Sequence, residues 1–415
     1  MTDIEGFYKE FGDYIYSCDI KLLNNELYQD DLIKITFHSK DDFGLDAKYP
    51  FLISGIEFMP HNESDQNIGK FIDSLRKNIE LNVTEKLNGF DGEVAHWQIF
   101  YLLKEIITKL KGIGYNYYRG QSHDWPTLPG IFRSLCTAEG KLAYEEFEML
   151  YRNVSREFPE ELEYISLEGL KDKDLLAALE KREDQISILQ HYGMKTPLID
   201  ITSNPFIAMQ FMLSSDELDI PRLEFYKINE GESTLFSSVR KMNKNKRIRA
   251  QKGAFLNYDN LYPHLKIENA HIKLHDYQPI KRVIVKLVFD EENKDLDKKT
   301  HCYNMIANRL TEKLNEFGYS KNNLYPDFSD FVAFQGNRYF NESSEVTIHS
   351  RIKSSTKIAC FKQTYHKSIM KRHVSHQPNW HALPFLQVSH SFLQVHGLLA
   401  HRCCSRDAFP SQDSF

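Results

Sequence analysis

Residues 186–213 read ISILQHYGMKTPLIDITSNPFIAMQFML, and the reading of this stretch decides the fold. His191, Tyr192 and Gly193 end one helix, Thr196 to Ile201 form a short strand, and Thr202, Ser203 and Asn204 stand ahead of Pro205. Proline suits a first helical position, where the missing N–H leaves nothing unsatisfied, and asparagine before it is a favoured N-cap. Phe206 to Leu213 is apolar nearly all round, which predicts a buried helix. Polar side chains and free backbone donors at the start of a rigid helix suit an anionic or nucleotide ligand.

Upstream, Tyr117-Tyr118-Arg119-Gly120-Gln121 precedes Asp124-Trp125-Pro126-Thr127-Leu128-Pro129 and Ile131-Phe132-Arg133. Strand alternation from Gly114 puts Ile113, Tyr115, Tyr117 and Arg119 on one face, so an arginine ends an otherwise apolar row. Such an arginine is either solvated or ion-paired, or it holds a ligand. Gly120 would allow a ligand close to the backbone, and guanidinium is a planar fork of donors suited to phosphate or a ribose hydroxyl. His191 and Tyr192 have two readings as well: a helix C-cap, or the lining of a pocket for a flat ring. Asp200, between Ile199 and Ile201, must be paired or hydrogen bonded, with Arg119 or Arg133 as the candidate partner.

Four segments recur in one order: YRGQ (118–121) with Leu128 and Arg133 beyond it, LQHYGMKTPLIDITSNP (189–205), RIRAQKGAF (247–255) and LYPDFSDF (324–331). Together they resemble the FRG domain family, named for its aromatic–Arg–Gly motif, over roughly residues 91 to 340. An arginine strand, a Thr-Ser strand and a third strand carrying Gln251 are in turn similar to the order found in ADP-ribosyltransferases. There, arginine and a serine-bearing strand support NAD, and a glutamate engages the ribose next to nicotinamide. The resemblance implies an α+β fold with a central ADP-ribosyltransferase-like split mixed sheet, flanking helices and a small N-terminal α/β appendage.

The same resemblance implies catalytic roles for Arg119, Ser203 and Gln251. Around NAD, as substrate or ligand, it implies Tyr118, Gly120, Gln121, Arg133, His191, Tyr192, Asp200, Thr202 and Asn204. Arg119, Tyr192, Asp200, Thr202, Ser203 and Gln251 are expected to converge. Gln251 departs from the pattern, because a neutral amide neither stabilises a sugar cation nor acts as a base. The implied function is therefore open between two classes. One is ADP-ribosyl transfer to a protein or other macromolecular acceptor, or NAD glycohydrolysis, by a bacterial defence or stress effector. The other is a non-catalytic nucleotide-sensing or protein-interaction module.

At 415 residues, 41% hydrophobic and 13% aromatic, the chain can bury a sizeable core and exceeds the usual single-domain size. Residues 1–90 read as a mixed α/β appendage, with strands at Ile33 to Phe37 and Phe51 to Phe58 and a helix from Ile68 to Leu81. Residues 91–345 read as the FRG-like domain. They include a helix from Val94 to Leu110, a strand entering the pocket at Arg247 to Phe255, a buried strand at Val283 to Phe289 and a helix from Asn304 to Phe317. Residues 346–415 read as a basic, His-rich and poorly ordered tail. Nine Lys or Arg against two Asp give it +7, leaving −13 for the remainder of a chain whose net charge is −6.

That acidic balance argues against nucleic acid as a partner despite the run Arg240, Lys241, Lys244, Lys246, Arg247, Arg249. The His spacings of the tail fit no coordination motif, so no metal is expected. Six scattered cysteines, no apolar run of membrane-spanning length and an acidic first segment predict a cytoplasmic protein with reduced thiols and no membrane partner. Phosphate loops, HExxH, paired CxxC and Gly-x-Ser-x-Gly are all absent from the sequence. This argues against P-loop enzymes, zincins, Rossmann dehydrogenases and α/β-hydrolases.

Overall fold

The computed structural model describes residues 3–17, 25–39, 51–62, 64–86, 93–133, 142–215, 218–238, 246–268, 271–290 and 296–320, with Leu324 and Val332. The tail and all of LYPDFSDF except Leu324 lie outside the described residues. Ten strands are present among these residues: β1 Tyr28–Ser39, β2 Phe51–Met59, β3 Tyr117–Gln121, β4 Leu198–Thr202, β5 Arg222–Lys227, β6 Phe236–Ser237, β7 Gly253–Asn257, β8 Leu265–Glu268, β9 His271–Leu274 and β10 Ile280–Phe289. Eight form one mixed sheet in the order β2-β1-β10-β5-β3-β4-β7-β6, and β8 and β9 form a separate hairpin.

The strand at Ile33 to Phe37 is real but longer, and it does not belong to an appendage. Ile33, Ile35 and Phe37 alternate into the core, and the apolar face they make is completed by β10, which runs parallel to β1 with Ile33 opposite Val285. β2 then pairs antiparallel on the outer side of β1. Residues 28–59 are thus one end of the central sheet, because two half-buried strands cannot cover their own apolar face and find that cover on β10.

Helices pack on both faces. One core is made by α2 Gln66–Lys86, α3 Glu93–Gly112, α7 Pro205–Met212 and α9 Leu296–Glu316, through Ile68, Ile106, Met209 and Tyr303 among others. The other gathers α1 Ile4–Ser17, α4 Gly130–Arg133, α5 Ala143–Glu157 and α6 Asp172–His191 around Phe7, Phe132, Tyr151 and Ile186. The short helix α8 Lys246–Ala250 precedes β7.

The second core carries charge at its centre. Arg182 on α6 is fully buried and donates to Asp259 at 2.8 Å, to Tyr8 at 3.1 Å and to the Ile165 carbonyl at 2.9 Å, and it pairs with Glu148. One side chain therefore ties α1, α5, α6 and the turn after β7. The next residue, Glu183, accepts from Ser237 and from the Asn257 side chain. Burial, with Asp184 and Glu180 adding to it, still pushes its carboxyl up to about 7.

Among the described glycines, Gly120 leaves the least room for a side chain. A Cβ there would lie 1.8 Å from the Ala208 carbonyl oxygen and 2.5 Å from the Met212 nitrogen, so the backbone of α7 rests directly on β3. The glycine admits a helix, where the sequence suggested a ligand.

These contacts set the stability of three variants. Gly120→Ala must lift α7 off the sheet and should lose roughly 3 kcal/mol or more in denaturant unfolding, or fail to fold. Gly112→Ala, at the end of α3 with nothing within 4 Å, should change stability by no more than about 1 kcal/mol. Glu183→Gln should gain stability in a pH-dependent way. A carboxyl raised to about 7 when folded costs nothing below its unfolded pKa, costs progressively more as pH rises toward 7, and costs most above it. The variant should match the parent near pH 4 and exceed it by up to roughly 3 kcal/mol at pH 8. Equal melting shifts at both pH values would contradict this.

Candidate functional site

β3 and β4 are neighbours, yet their ladder consists of one pair, Tyr118 opposite Thr202. Beyond that pair Arg119 fills the place of a ladder bond: its Nη1 donates to the Asp200 carbonyl oxygen at 2.7 Å. The arginine is only 7% exposed, and its Nε is buried without a hydrogen-bond partner. Buried guanidinium donors are costly to leave unmade, so this atom marks a position where a ligand oxygen or water would be stabilised.

The Asp200 carboxylate accepts from Gln190 Nε2 at 2.8 Å, and Gln190 in turn accepts the hydroxyl of Thr196. Asp200 is half-buried. Enclosure raises its pKa, opposed by Arg119, Arg133 and the Gln190 bond. Arg133, at the exposed end of α4, is lowered to about 10 by desolvation and then by Arg119, while Asp200 raises it. The charges of two guanidinium groups therefore act on one carboxylate near the opening between β3 and β4, where the sequence reading named Arg119 or Arg133 as its partner. The hydrogen bond from Arg119 goes to the Asp200 main chain.

The other sequence-derived residues fall elsewhere. Thr202 is buried, donates its hydroxyl to the Gln251 carbonyl at 2.7 Å and accepts from the Asn204 amide at 3.1 Å. Asn204 caps α7 by accepting from Phe206 N at 3.0 Å, and its carbonyl takes the amides of Ile207 and Ala208. With Pro205 lacking a donor, this helix start is satisfied internally and offers no cradle of free N–H groups, contrary to the sequence reading. Ser203 is exposed, with its hydroxyl 3.4 Å from the Lys252 carbonyl.

Gln251 is not on a strand. Lys246 to Ala250 are helical, the amides of Gln251 and Lys252 bond back to Arg247 and Arg249, Lys252 has φ 49°, and β7 begins only at Gly253. Ile248 is buried as the apolar residue of this single turn, which is too short to be distinguished from a strand by periodicity. The Gln251 side chain donates to the Leu324 carbonyl at 3.2 Å.

Arg119 alternates with Tyr118 and Gly120, so it leaves β3 on the face opposite α7, whereas Thr202 is the register partner of Tyr118. By their contacts the expected residues fall into two groups: Arg119, Arg133, Asp200 and Gln190 in one, and Thr202, Ser203, Asn204 and Gln251 in the other. Among the described residues no hydrogen bond joins them. Tyr118 is a core residue bonded to the Tyr115 carbonyl at 3.0 Å, and Gln121 is buried and accepts from Arg222 at 3.4 Å. Tyr192 is 82% exposed after the end of α6, its ring 5.1 Å from that of half-buried His191, and Gly193 follows with φ 88° as a helix stop.

One residue the sequence reading passed over stands directly opposite Arg119 in the register, Glu224 on β5. It is 0% exposed. Its Oε1 accepts from Thr127 at 2.7 Å and from Arg222 at 2.6 Å, its Oε2 accepts from Tyr226, and Arg282 lies 3.8 Å away. Burial alone would raise this carboxyl, but Arg222, Arg282 and Arg119 with the Tyr226 hydroxyl hold it at about 2. The signal was available: an acid between Leu223 and Phe225 in an apolar strand is the same pattern that marked Asp200.

Among the described residues no group of three or more His, Cys, Asp or Glu is placed to hold a metal, and no helix is long and apolar enough to cross a membrane. Comparison with curated proteins and with solved structures gives no match. A family model does match residues 115–219, a range that includes Arg119, Arg133, Asp200 and the whole of α7. The matching model is that of the FRG domain, so residues 115–219, with the arginine–glycine pair on β3 and the strand, turn and helix that pack against it, match an FRG domain.

Proposed function

We propose that the FRG domain binds a phosphate-bearing nucleotide, NAD or one related to it, where Arg119, Arg133 and Asp200 meet. The observation that carries this reading is the buried, unpartnered Nε of Arg119 beside a second guanidinium, with a single carboxylate between them. Anionic oxygens complete such a site, because charge-assisted and bidentate bonds to guanidinium are the strong ones. The single-pair junction of β3 and β4 supports an ADP-ribosyltransferase-like reading of the sheet. The chemistry that follows from it is cleavage of the nicotinamide–ribose bond, with transfer to a protein or other acceptor or to water. A setting in bacterial defence or stress in the cytoplasm belongs to the same proposal and rests on family resemblance alone.

A second reading, a nucleotide-sensing module without turnover, is favoured by one observation. The residue at the glutamate-like position is neutral Gln251, whose side chain donates to the Leu324 carbonyl and whose own carbonyl accepts from Thr202. Calorimetric titration with NAD and ADP-ribose, alongside measurement of nicotinamide release, separates the two. Arg119→Ala should weaken binding by about 10- to 100-fold, the scale of a charge-assisted hydrogen bond, and should also lower the melting temperature, because the bond to the Asp200 carbonyl and one of the charges near Glu224 are lost; affinity is therefore measured well below the transition. Arg119→Lys should recover little of it, since an ammonium lacks the fork. Undiminished affinity in both variants would remove Arg119 from the site.

A further inference from the structure

Departure of nicotinamide takes the bonding pair with it and leaves positive charge on the sugar, so an anionic group beside that carbon lowers the barrier. Hydrolysis also needs an acceptor for a proton of water. Gln251 can do neither. Glu224 is anionic and next to Arg119, but it is sealed, with Oε1 held by Thr127 and Arg222 and Oε2 by Tyr226. Asp200 differs on each count. It is half-buried, Gln190 pins only its Oδ2, and among the described residues Oδ1 receives no side-chain hydrogen bond. Thr196 donates to Gln190 Oε1, which turns the amide so that its NH2 faces the carboxylate.

We infer that Asp200 is the carboxylate that faces the reacting sugar, with Gln190 as its positioning residue and Arg119 and Arg133 holding the nucleotide's phosphates. This rests on the nucleotide reading above. In hydrolysis, the bond between C1′ and the ring nitrogen breaks with both electrons going to nicotinamide. Water oxygen then bonds to C1′, its proton passes to Asp200 Oδ1 and from there to solvent. The products are nicotinamide, ADP-ribose and a proton, and nothing is oxidised or reduced. The charged groups facing Asp200 are Arg119 from β3 and Arg133 from α4. Enclosure outweighs both, so the acid limb of turnover should lie above that of an ordinary aspartate.

The experiment uses the full chain and NAD, with binding by calorimetry and nicotinamide release followed against pH. Asp200→Asn keeps an acceptor for Gln190 and removes a charge that competes for the two arginines, so NAD affinity should hold or rise while release falls about 100-fold or more and its acid limb disappears. Gln190→Leu should reduce release about tenfold and move the acid limb upward, because a bond favouring the carboxylate is lost. Gln251→Ala should leave release within about twofold of the parent. Release by Asp200→Asn equal to the parent, an acid limb unmoved in Gln190→Leu, or a parent that binds NAD without releasing nicotinamide would each overturn the assignment of Asp200. A parent that does not bind NAD would overturn the nucleotide reading itself, and so the two failures are distinct.

Discussion

The constraint on which the centre of this molecule depends is the ionised carboxylate of Glu224, buried with no exposure in the middle of an eight-stranded sheet. A charge in that position survives only when every lone pair is engaged and opposite charge is close, and loss of one partner is strongly destabilising. Arg222 is committed on the one side, to Asp124 at 2.7 Å as well as to Glu224 and Thr127. Arg282 is committed on the other, gripping Asp30 through two bonds of 2.7 and 2.6 Å and lying 3.8 Å from the ring centre of Tyr28. These bonds join β1, β10, β5 and the segment after β3 into one polar lattice. Arg119 touches the lattice only through space, and its hydrogen bond points the other way, toward β4. Each of the three arginines keeps one buried nitrogen without a hydrogen-bond partner, Nε of Arg119, Nε of Arg222 and Nη1 of Arg282, but among the described residues Arg119 is the one of them that forms no ion pair with a carboxylate.

Strand β3 has two unlike faces for a related reason. On one face Gly120 is pressed by the backbone of α7, so the helix can follow β4 after a turn of two residues and still lie flat on the sheet. On the other, Arg119 spans the place where the β3–β4 ladder stops. The two are coupled by alternation: a register slip of one residue would drive a guanidinium into α7 and leave a glycine at the gap. Neighbouring arginine and glycine are therefore a single structural device, in which one residue admits the helix and the other bridges the opening.

Local chemistry was legible in the sequence wherever it is decided within a few residues. Asn204-Pro205 starts α7 with the asparagine cap in place, Gly193 stops α6 with a positive φ, and apolar periodicity finds α2, α3 and α9, although α9 begins at Leu296 rather than at Asn304. What escaped was decided by residues far away in the chain. Nothing near Ile33 says that its strand will lie parallel to one some 250 positions on, and nothing near Gly120 says that Ala208 will occupy the space a Cβ needs. The N-cap hydroxyls and amides of 202–204 looked available because the sequence cannot display that Gln251, Phe206 and Tyr319 already engage them. Lys246 to Ala250 was misread for a different reason, since one turn of helix and a short strand carry the same pattern.

Asp200 and a bound phosphate would draw on the same two guanidinium groups, and this competition shapes the proposed site. With Asp200 ionised, the arginines are partly neutralised and an anion gains less from them; with Asp200 protonated, both present their full charge. By linkage, an anion bound between Arg119 and Arg133 must then raise the pKa of Asp200 further. Binding is favoured by the proton, whereas a carboxylate that steadies a sugar cation must have lost it. Enclosure raises the pKa of Asp200 against the pull of both arginines, which moves it toward the first of these demands. Gln190 becomes important here: a neutral side-chain donor, fixed by Thr196, favours the ionised form, as the Asp200 backbone amide also does, without adding a third positive charge. A lysine or arginine at position 190 would hold Asp200 ionised more firmly, but would also bind it too tightly to exchange partners with a nucleotide.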